Sequence, residues 1–395
     1  MRKELSFVSL FSGCGGLDVG FEQAGFRGVF AGDIDEVAVS VHNCNLKTPG
    51  HVVDLSRADG ASLRGLKPDV VVAGPPCQGF STLGKRRIDD PRNSLIVAAA
   101  RHAVSLKPKV VVLENVSGAI SGTHGRYWET ATNLLLENGY LTDTRPVVCA
   151  DFGVPQIRRR ILLVAWRAKQ TTFPAFQSMD RVGLKTALSQ LDGEANHEPA
   201  HLKSQTADHR IAQRISPHQK LCNVRGGDRA VPTWAIPEVF GRTNAKERQL
   251  LCAIRRLRRQ LRLRSNGDAD PLMLGDISQH CGGDMSELVD RLLRRGYLRK
   301  IDERVDLAHT FNGKYRRLSW DHPAPTVDTR FGDPKYYLHP EEHRGLSVRE
   351  AARIQGFPDD FVFEGTKAAQ FRMVGNAVPP PLAKQLAESI REFLS

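Results

Sequence analysis

The chain has no paired-cysteine motif. Its seven cysteines are odd in number and scattered, no C-x-x-C occurs, and His280-Cys281 is the one adjacent His/Cys pair. A disulfide framework and a zinc site are therefore disfavoured, and no metal is expected. No apolar run approaches the roughly 20 residues of a membrane span. Met1-Arg2-Lys3-Glu4 leads straight into a strand-like segment without a signal-peptide profile. These absences predict a protein without membrane association, in the cytoplasm. Internal repeats and low-complexity tracts are also lacking. What is present is an ordinary globular balance over 395 residues, 41% hydrophobic and 25% charged, enough for two domains. The formal net charge of +12 bears on partners rather than fold, and nucleic acid is a frequent partner of basic proteins.

Short aliphatic runs at 7–11, 29–31, 70–73, 110–113 and 161–165 alternate with helical patterns such as 93–106. Several are nearly continuous Val/Leu/Ile, as in strands buried on both faces of a parallel sheet. This βαβ rhythm predicts a doubly wound, Rossmann-like α/β domain. After Trp166 the rhythm breaks, and 171–240 is polar and irregular. A cationic helix follows over 245–263, with Leu250, Ile254, Leu257 and Leu261 on one face and Arg255, Arg256, Arg258, Arg259, Arg262 and Arg264 opposite. Asp284-Met-Ser-Glu287 reads as a capping box, Gly296 as a helix stop, and 297–307 as a small hairpin. Helices followed by a hairpin suggest a winged-helix-like unit. A helix starting at Ser347 and an amphipathic C-terminal helix close the chain.

Strand ends carry the candidate chemistry. "SLFSGCGGLDVGF" places Gly13, Gly15 and Gly16 between strand and helix, where a ligand meets bare backbone. The spacing is not G-x-G-x-x-G, which disfavours a dinucleotide. Asp33, about 20 residues on, suits ribose hydroxyls, and Asp54 lies near a third strand end. "VVAGPPCQGF" stops a buried strand at two prolines and presents Cys77, either an inert thiol or a nucleophile. "KVVVLENV" ends in Glu114 and Asn115. "FGVPQIRRRILLV" puts Arg158 and Arg160 at i and i+2.

Together these residues carry a resemblance. "FSGCGGLDVGF", "GPPCQGFS", "ENV", "QIRRR", "REAARIQGFPD" and "GNAVPP" occur in the order of the DNA cytosine-5 methyltransferases, across all but roughly 171–310. The chain resembles that family, of restriction-modification or orphan type. The resemblance implies methyl transfer from S-adenosyl-L-methionine to carbon 5 of a flipped cytosine in duplex DNA, leaving S-adenosyl-L-homocysteine. Cys77 would be the nucleophile that attacks carbon 6, Glu114 a proton donor near ring nitrogen 3 and the amine, and Arg160 the holder of the ring oxygen, with Arg158 in support. Phe11, Gly13, Gly15, Gly16, Leu17, Asp33, Ile34, Asp54, Leu55, Pro76, Leu95, Asn376 and Ala377 would bind the cofactor.

The base must leave the stack to react. Segment 79–92 would close over the DNA, with Gln78, Ser81, Lys85, Arg86 and Arg87 among its contacts. The implied plan is a catalytic domain over 1–170, an inserted target-recognition domain over 171–345 and a return segment over 346–395. Arg255, Arg258 and Arg259 on the cationic helix are candidate DNA contacts, weighed equally against a merely solvated face. The expected partners are duplex DNA and, in such systems, a cognate restriction endonuclease; the protein is expected to be a monomer. Two rival readings stand beside this one. A transfer-RNA cytosine methyltransferase would share the catalytic motifs but carry a Cys-Phe-Thr segment that is absent here. A DNA-binding regulator would not need Cys77, Glu114 and Arg160.

Overall fold

Alternation within the aliphatic runs decides the layering. In a computed structural model of the chain, Phe7, Val70, Val72, Val110 and Val112 point into one core and Val8, Leu10, Val71, Ala73, Val111 and Leu113 into another. A period of two in strands buried on both faces produces this split. The structure describes residues 4–57, 61–76, 94–122, 125–167, 170–225, 227–264, 269–310 and 313–395.

The chain divides into two compact units: Met1–Glu198, Trp320–Thr329 and Ser347–Ser395 form the first, and Pro199–Ser319 with Arg330–Leu346 the second. The expected boundary at 171 thus falls inside the first unit, which continues to Glu198 and takes back a short stretch near 325. In the first unit the order is β1 (Ser6–Leu10), α1 (Gly16–Gln23), β2 (Arg27–Asp33), α2 (Glu36–Asn45), β3 (Gly50–Val52), β4 (Val70–Ala73), α3 (Leu95–Leu106), β5 (Val110–Val116), α4 (Gly125–Glu137), β6 (Leu141–Val148), β7 (Gln156–Ile157) and β8 (Arg159–Trp166). Seven of these strands form one sheet in the order β3-β2-β1-β4-β5-β8-β6. Pairing is parallel from β3 to β5, and β8 runs antiparallel to both β5 and β6. The doubly wound expectation holds, with one reversed strand.

The second unit contains α5 (Ala207–Gln213), β9 (Lys220–Leu221), β10 (Ala230–Val231), α6 (Pro237–Phe240), α7 (Ala245–Gln260), β11 (Leu272–Met273), α8 (Leu274–Cys281), α9 (Ser286–Arg294), β12 (Leu298–Ile301), β13 (Arg304–Leu307) and β14 (Arg316–Arg317). After β15 (Ala324–Pro325), which belongs to the first unit and pairs with β7, β16 (Tyr337–Leu338) pairs with β14. From α7 to β13 the connectivity is helix–strand–helix–helix–hairpin, with a three-stranded antiparallel sheet ordered β11-β13-β12. That is the topology of a winged helix. Leu250, Leu251, Ile254 and Leu257 of α7 share its core with Ile277, Val289, Leu292, Leu298, Val305 and Leu307. The capping box expected at Asp284 does not form. Asp284 Oδ1 instead accepts the Ser286 backbone N–H at 2.9 Å, and α9 begins without a side-chain cap. A reciprocal box does open α7, where Asn244 and Glu247 bond each other's backbone N–H groups.

Three helices return to the first unit: α10 (Val348–Gln355), α11 (Lys367–Asn376) and α12 (Pro380–Leu394). α10 opens with a Ser347–Glu350 capping box. α12 packs against α1 so closely that a Cβ on Gly20 would lie 2.5 Å from Ala383 Cβ. Gly20 is therefore glycine for helix packing, not for ligand approach.

Candidate active site

The site begins where β1 ends. Phe11 (φ 55), Gly13 (φ 55) and Gly15 (φ 96) all take left-handed backbone conformations between β1 and α1. For Phe11, with its bulky side chain, that conformation costs about 1–3 kcal/mol, the kind of strain that gathers at functional sites. The turn is fixed from β2: Ser12 N donates to Gly32 O at 3.0 Å and Gly13 N to Asp33 Oδ2 at 2.8 Å. Asp33 Oδ1 accepts from Asp35 N at 2.9 Å. Asp35 caps α2 through Val37 N and Ala38 N and pairs with Arg372 at 3.0 Å.

Beneath the turn lies a buried polar chain that the motifs did not announce. Ser9 Oγ donates to Asp18 Oδ2 at 2.8 Å, and His42 Nε2 meets Asp18 Oδ1 at 3.2 Å with both side chains fully buried. Burial works against the charged imidazole. The Asp18 hydrogen bond and charge outweigh it and hold the His42 pKa above its ordinary value. A Cβ on Gly15 would meet His42 Cδ2 at 2.8 Å, so this pair sets the floor of the glycine turn.

The opposite wall comes from β4, β5 and β8. β4 ends at Gly74-Pro75-Pro76, and Asn115 donates its side-chain amide to Pro75 O at 3.3 Å. Glu114 on β5 and Arg160 on β8 form an ion pair at 2.7 Å, both about nine-tenths buried. The oxygen in that pair is Glu114 Oε1, which is buried against Arg160 Nε, and both residues line the cleft.

Arg158, expected in support of Arg160, lines the same cleft. It lies in the break between β7 and β8, and its guanidinium donates to Val327 O, Gly375 O and Ala377 O at 3.0–3.2 Å. It is 2% exposed. These bonds, made by its two Nη atoms, tie the return segment against the sheet, and the side chain also lines the cleft. Gln156 and Gln355 serve the same join: their side chains hydrogen-bond each other, Val327 N donates to Gln156 Oε1 at 3.1 Å, and Gln355 donates to Ala377 O at 2.5 Å. Both glutamines stand inside the quoted motifs, but nothing in their spacing assigned them this task.

These parts enclose a cleft of about 410 Å³. Of the expected cofactor residues, it is lined by Phe11, Gly13, Gly16, Leu17, Asp33, Ile34, Pro76, Asn376 and Ala377; Glu114, Arg158 and Arg160 join them. Gly15, Asp54, Leu55 and Leu95 are not part of the lining. Asp54 is solvent-exposed beyond β3, where the Ser56 hydroxyl and backbone N–H hold its carboxyl below the usual range. Leu55 is buried, its carbonyl facing His102 Nε2 at 3.0 Å.

Among the described residues Cys14 lines the cleft, and Cys149 lies close to Arg158, Arg160 and Glu114. Burial pushes Cys14 up to about 12 and Cys149 up to about 11, so both stay protonated at neutral pH. The expected nucleophile Cys77 lies outside the described residues, as do Gln78, Ser81, Lys85, Arg86 and Arg87. Among the described residues no His/Cys/Asp/Glu group suits a metal ion.

On the cationic helix of the second unit the three candidate DNA contacts separate. Arg258 is buried and paired with Asp306 of β13, which also takes Arg299 at 2.9 Å. It is a structural pin rather than a DNA contact. Arg255 stacks over Trp234, 5.4 Å from the ring centroid. Arg259 is exposed.

Comparison with known proteins gives this arrangement relatives. The family model of C-5 cytosine-specific DNA methylases matches residues 5–392. The chain is 30% identical to the type II methyltransferase M.AgeI of Thalassovita gelatinovora over 98% of this chain and 99% of that protein. It is 32% identical to the type II methyltransferase M.XorII of Xanthomonas oryzae pv. oryzae over 98% and 84%. Among solved structures it shares a fold with the Entamoeba histolytica methyltransferase EhMeth, at a TM-score of 0.56, 16% identity and full coverage of both chains.

Proposed function

Because this chain belongs to the C-5 cytosine-specific DNA methylases, we propose that the cleft between the glycine turn and the Glu114–Arg160 pair is its active site. The enzyme transfers a methyl group from S-adenosyl-L-methionine to carbon 5 of cytosine in DNA. The observation that carries the assignment of residues is the ion pair of Glu114 and Arg160, buried in the same cleft as the Asp33-anchored turn.

The residues present fit the cofactor. A Cβ on Gly13 would find no atom within 4 Å, so the turn leaves its ligand side clear. Asp33 places a carboxylate on the cleft, and Ile34, 67% exposed, offers apolar surface at its edge. Asp33 would hold the ribose, with Phe11, Leu17, Pro76, Asn376 and Ala377 around the ligand. When bound, the cofactor supplies an electrophilic methyl group.

The chain's own residues prepare the base. A cytosine ring carbon is too weak a nucleophile while the ring is aromatic. Addition of the Cys77 thiolate to carbon 6 removes that aromaticity and raises electron density at carbon 5. Glu114, near ring nitrogen 3, would supply a proton there as negative charge builds. Arg160 would hold the ring oxygen and keep Glu114 oriented. Loss of the carbon 5 proton and elimination of the thiolate then restore the ring. Pro75 and Pro76 stiffen the turn that leads to Cys77.

The second unit is the target-reading part in this proposal, and 79–92 the segment that closes on the flipped base. No helix among the described residues is long and apolar enough to cross a membrane. Action as a cytoplasmic monomer, alongside a restriction endonuclease of matching specificity, completes the reading. The test is expression of the wild type and Cys77→Ala in a host lacking cytosine methylation, followed by base-resolution sequencing of host DNA. Methylcytosine in one short motif with the wild type alone is expected. Equal methylation by the two proteins would remove Cys77 from the mechanism.

A further inference from the structure

The winged-helix unit raises a question its topology does not answer. Its α8–α9 pair has the layout of a helix-turn-helix, whose second helix ordinarily enters the major groove. The charges on α9 oppose that use. Its exposed charged side chains are Glu287, Asp290, Arg291 and Arg294, which sum to zero, and exposed Asp284 precedes its first turn. The acids occupy the N-terminal half, the part that would point at base edges between two rows of phosphates.

α7 is built the other way. Its one acid, Glu247, is buried and committed to Asn244 N and to Arg295. Arg248, Arg256 and Arg259 are exposed. At 100° per residue, Arg248, Arg255 and Arg259 fall within about 40° of one another and Arg256 about 60° beyond, while the 1.5 Å rise sets Arg248 and Arg259 about 16 Å apart. The helix is also held firmly. Arg258 pins it to β13 through Asp306, and Arg295 ties its first turn to the end of α9. A rigid row of guanidinium groups with no acid among them matches a phosphodiester backbone.

We propose that this unit docks on duplex DNA through α7, gripping phosphates beside the target with Arg248, Arg256 and Arg259, and that α9 stays off the duplex. The inference rests on the DNA-methyltransferase reading above; it assigns the winged-helix part of the second unit an anchoring task and leaves target reading to the remainder of that unit.

The experiment compares full-length wild type, Arg248→Gln/Arg256→Gln/Arg259→Gln and Arg291→Gln/Arg294→Gln for binding to duplex DNA across salt. Loss of three phosphate contacts lowers the slope of log affinity against log salt by about 2.7. Equivalently, the affinity lost between 50 and 200 mM salt shrinks by about 40-fold. The α9 variant keeps the wild-type slope. The α7 variant still methylates the same short motif, because phosphate contacts carry no base information. An unchanged slope in the α7 variant, or an equal drop in both variants, overturns the proposal. If the wild type itself neither binds nor methylates duplex DNA, the underlying reading fails, and that result is distinct from a wild type that methylates normally while its α7 variant keeps the full slope.

Discussion

Neighbouring arginines meet opposite fates in both units. In the first, the Nη atoms of Arg158 bond backbone carbonyls while Arg160, two residues on, pairs with Glu114 on the neighbouring strand. In the second, Arg258 is locked to Asp306 while Arg259, one residue on, is exposed. One member of each pair builds the frame and the other is available to a ligand. The lesson is that a basic motif is not a unit of function. Register decides: a one-residue break between β7 and β8 separates the first pair, and a 100° helical step separates the second.

Mutations in each class test the division. The largest effect belongs to the ligand-facing set: Cys77→Ala abolishes methyl transfer to duplex DNA in an assay of labelled methyl incorporation. Glu114→Gln lowers kcat by about 10²- to 10⁴-fold, with little movement of the urea midpoint. A large loss of stability instead would move Glu114 into the frame. Among frame residues, Arg258→Met leaves the buried Asp306 with Arg299 as its one remaining arginine partner among the described residues and destabilises the second unit by about 1–3 kcal/mol. Calorimetry registers this as an earlier transition, and adding Asp306→Leu restores most of it. Arg158→Met takes this donor from the Val327 and Gly375 carbonyls, while Ala377 O keeps Gln355, and costs about 2–3 kcal/mol. Denaturant unfolding measures that cost, and a normal midpoint with selectively lost kcat would return Arg158 to the catalytic set.

The smallest effect is pH-dependent and tests the floor of the glycine turn. The folded His42 pKa is raised, so its pairing with Asp18 stabilises fully below the unfolded value of about 6.5 and fades as pH rises through the folded value. His42→Asn therefore lowers Tm more at pH 6 than at pH 9. A gap that widens toward high pH would mean that the neutral imidazole is the stabilising form.

Much of the first unit was legible because its strands are short apolar runs ended by punctuating residues. The segments that became β1, β4 and β5 stand out as Val/Leu-rich stretches, and β4 stops at Pro75-Pro76. β6 was missed. Its LTDTRPVV lies at the sheet edge, half exposed, where alternation is weak and Pro146 is tolerated. The reversed direction of β8 had no sequence signal, since a buried strand reads alike in either direction. In the second unit α9 and its hairpin could be anticipated in outline, though not the start of α9, where the expected capping box does not form. The first strand of the wing sheet, two residues long, could not.

The sequence by itself determined the family, the reaction and the ordered set of motifs, because covalent chemistry on a base demands particular side chains at strand ends. It also put Glu114 and Arg160 at strand ends in one candidate site before any distance was known. Only the tertiary structure decided which motif residues touch the cleft. The Asp18–His42 pair, the Gln156–Gln355 contact and the split between Arg158 and Arg160 each join positions that lie far apart in the chain or differ by a single step in register. Burial in such joins obliges every polar group to find a partner, and those partners come from folding, not from the residues next door.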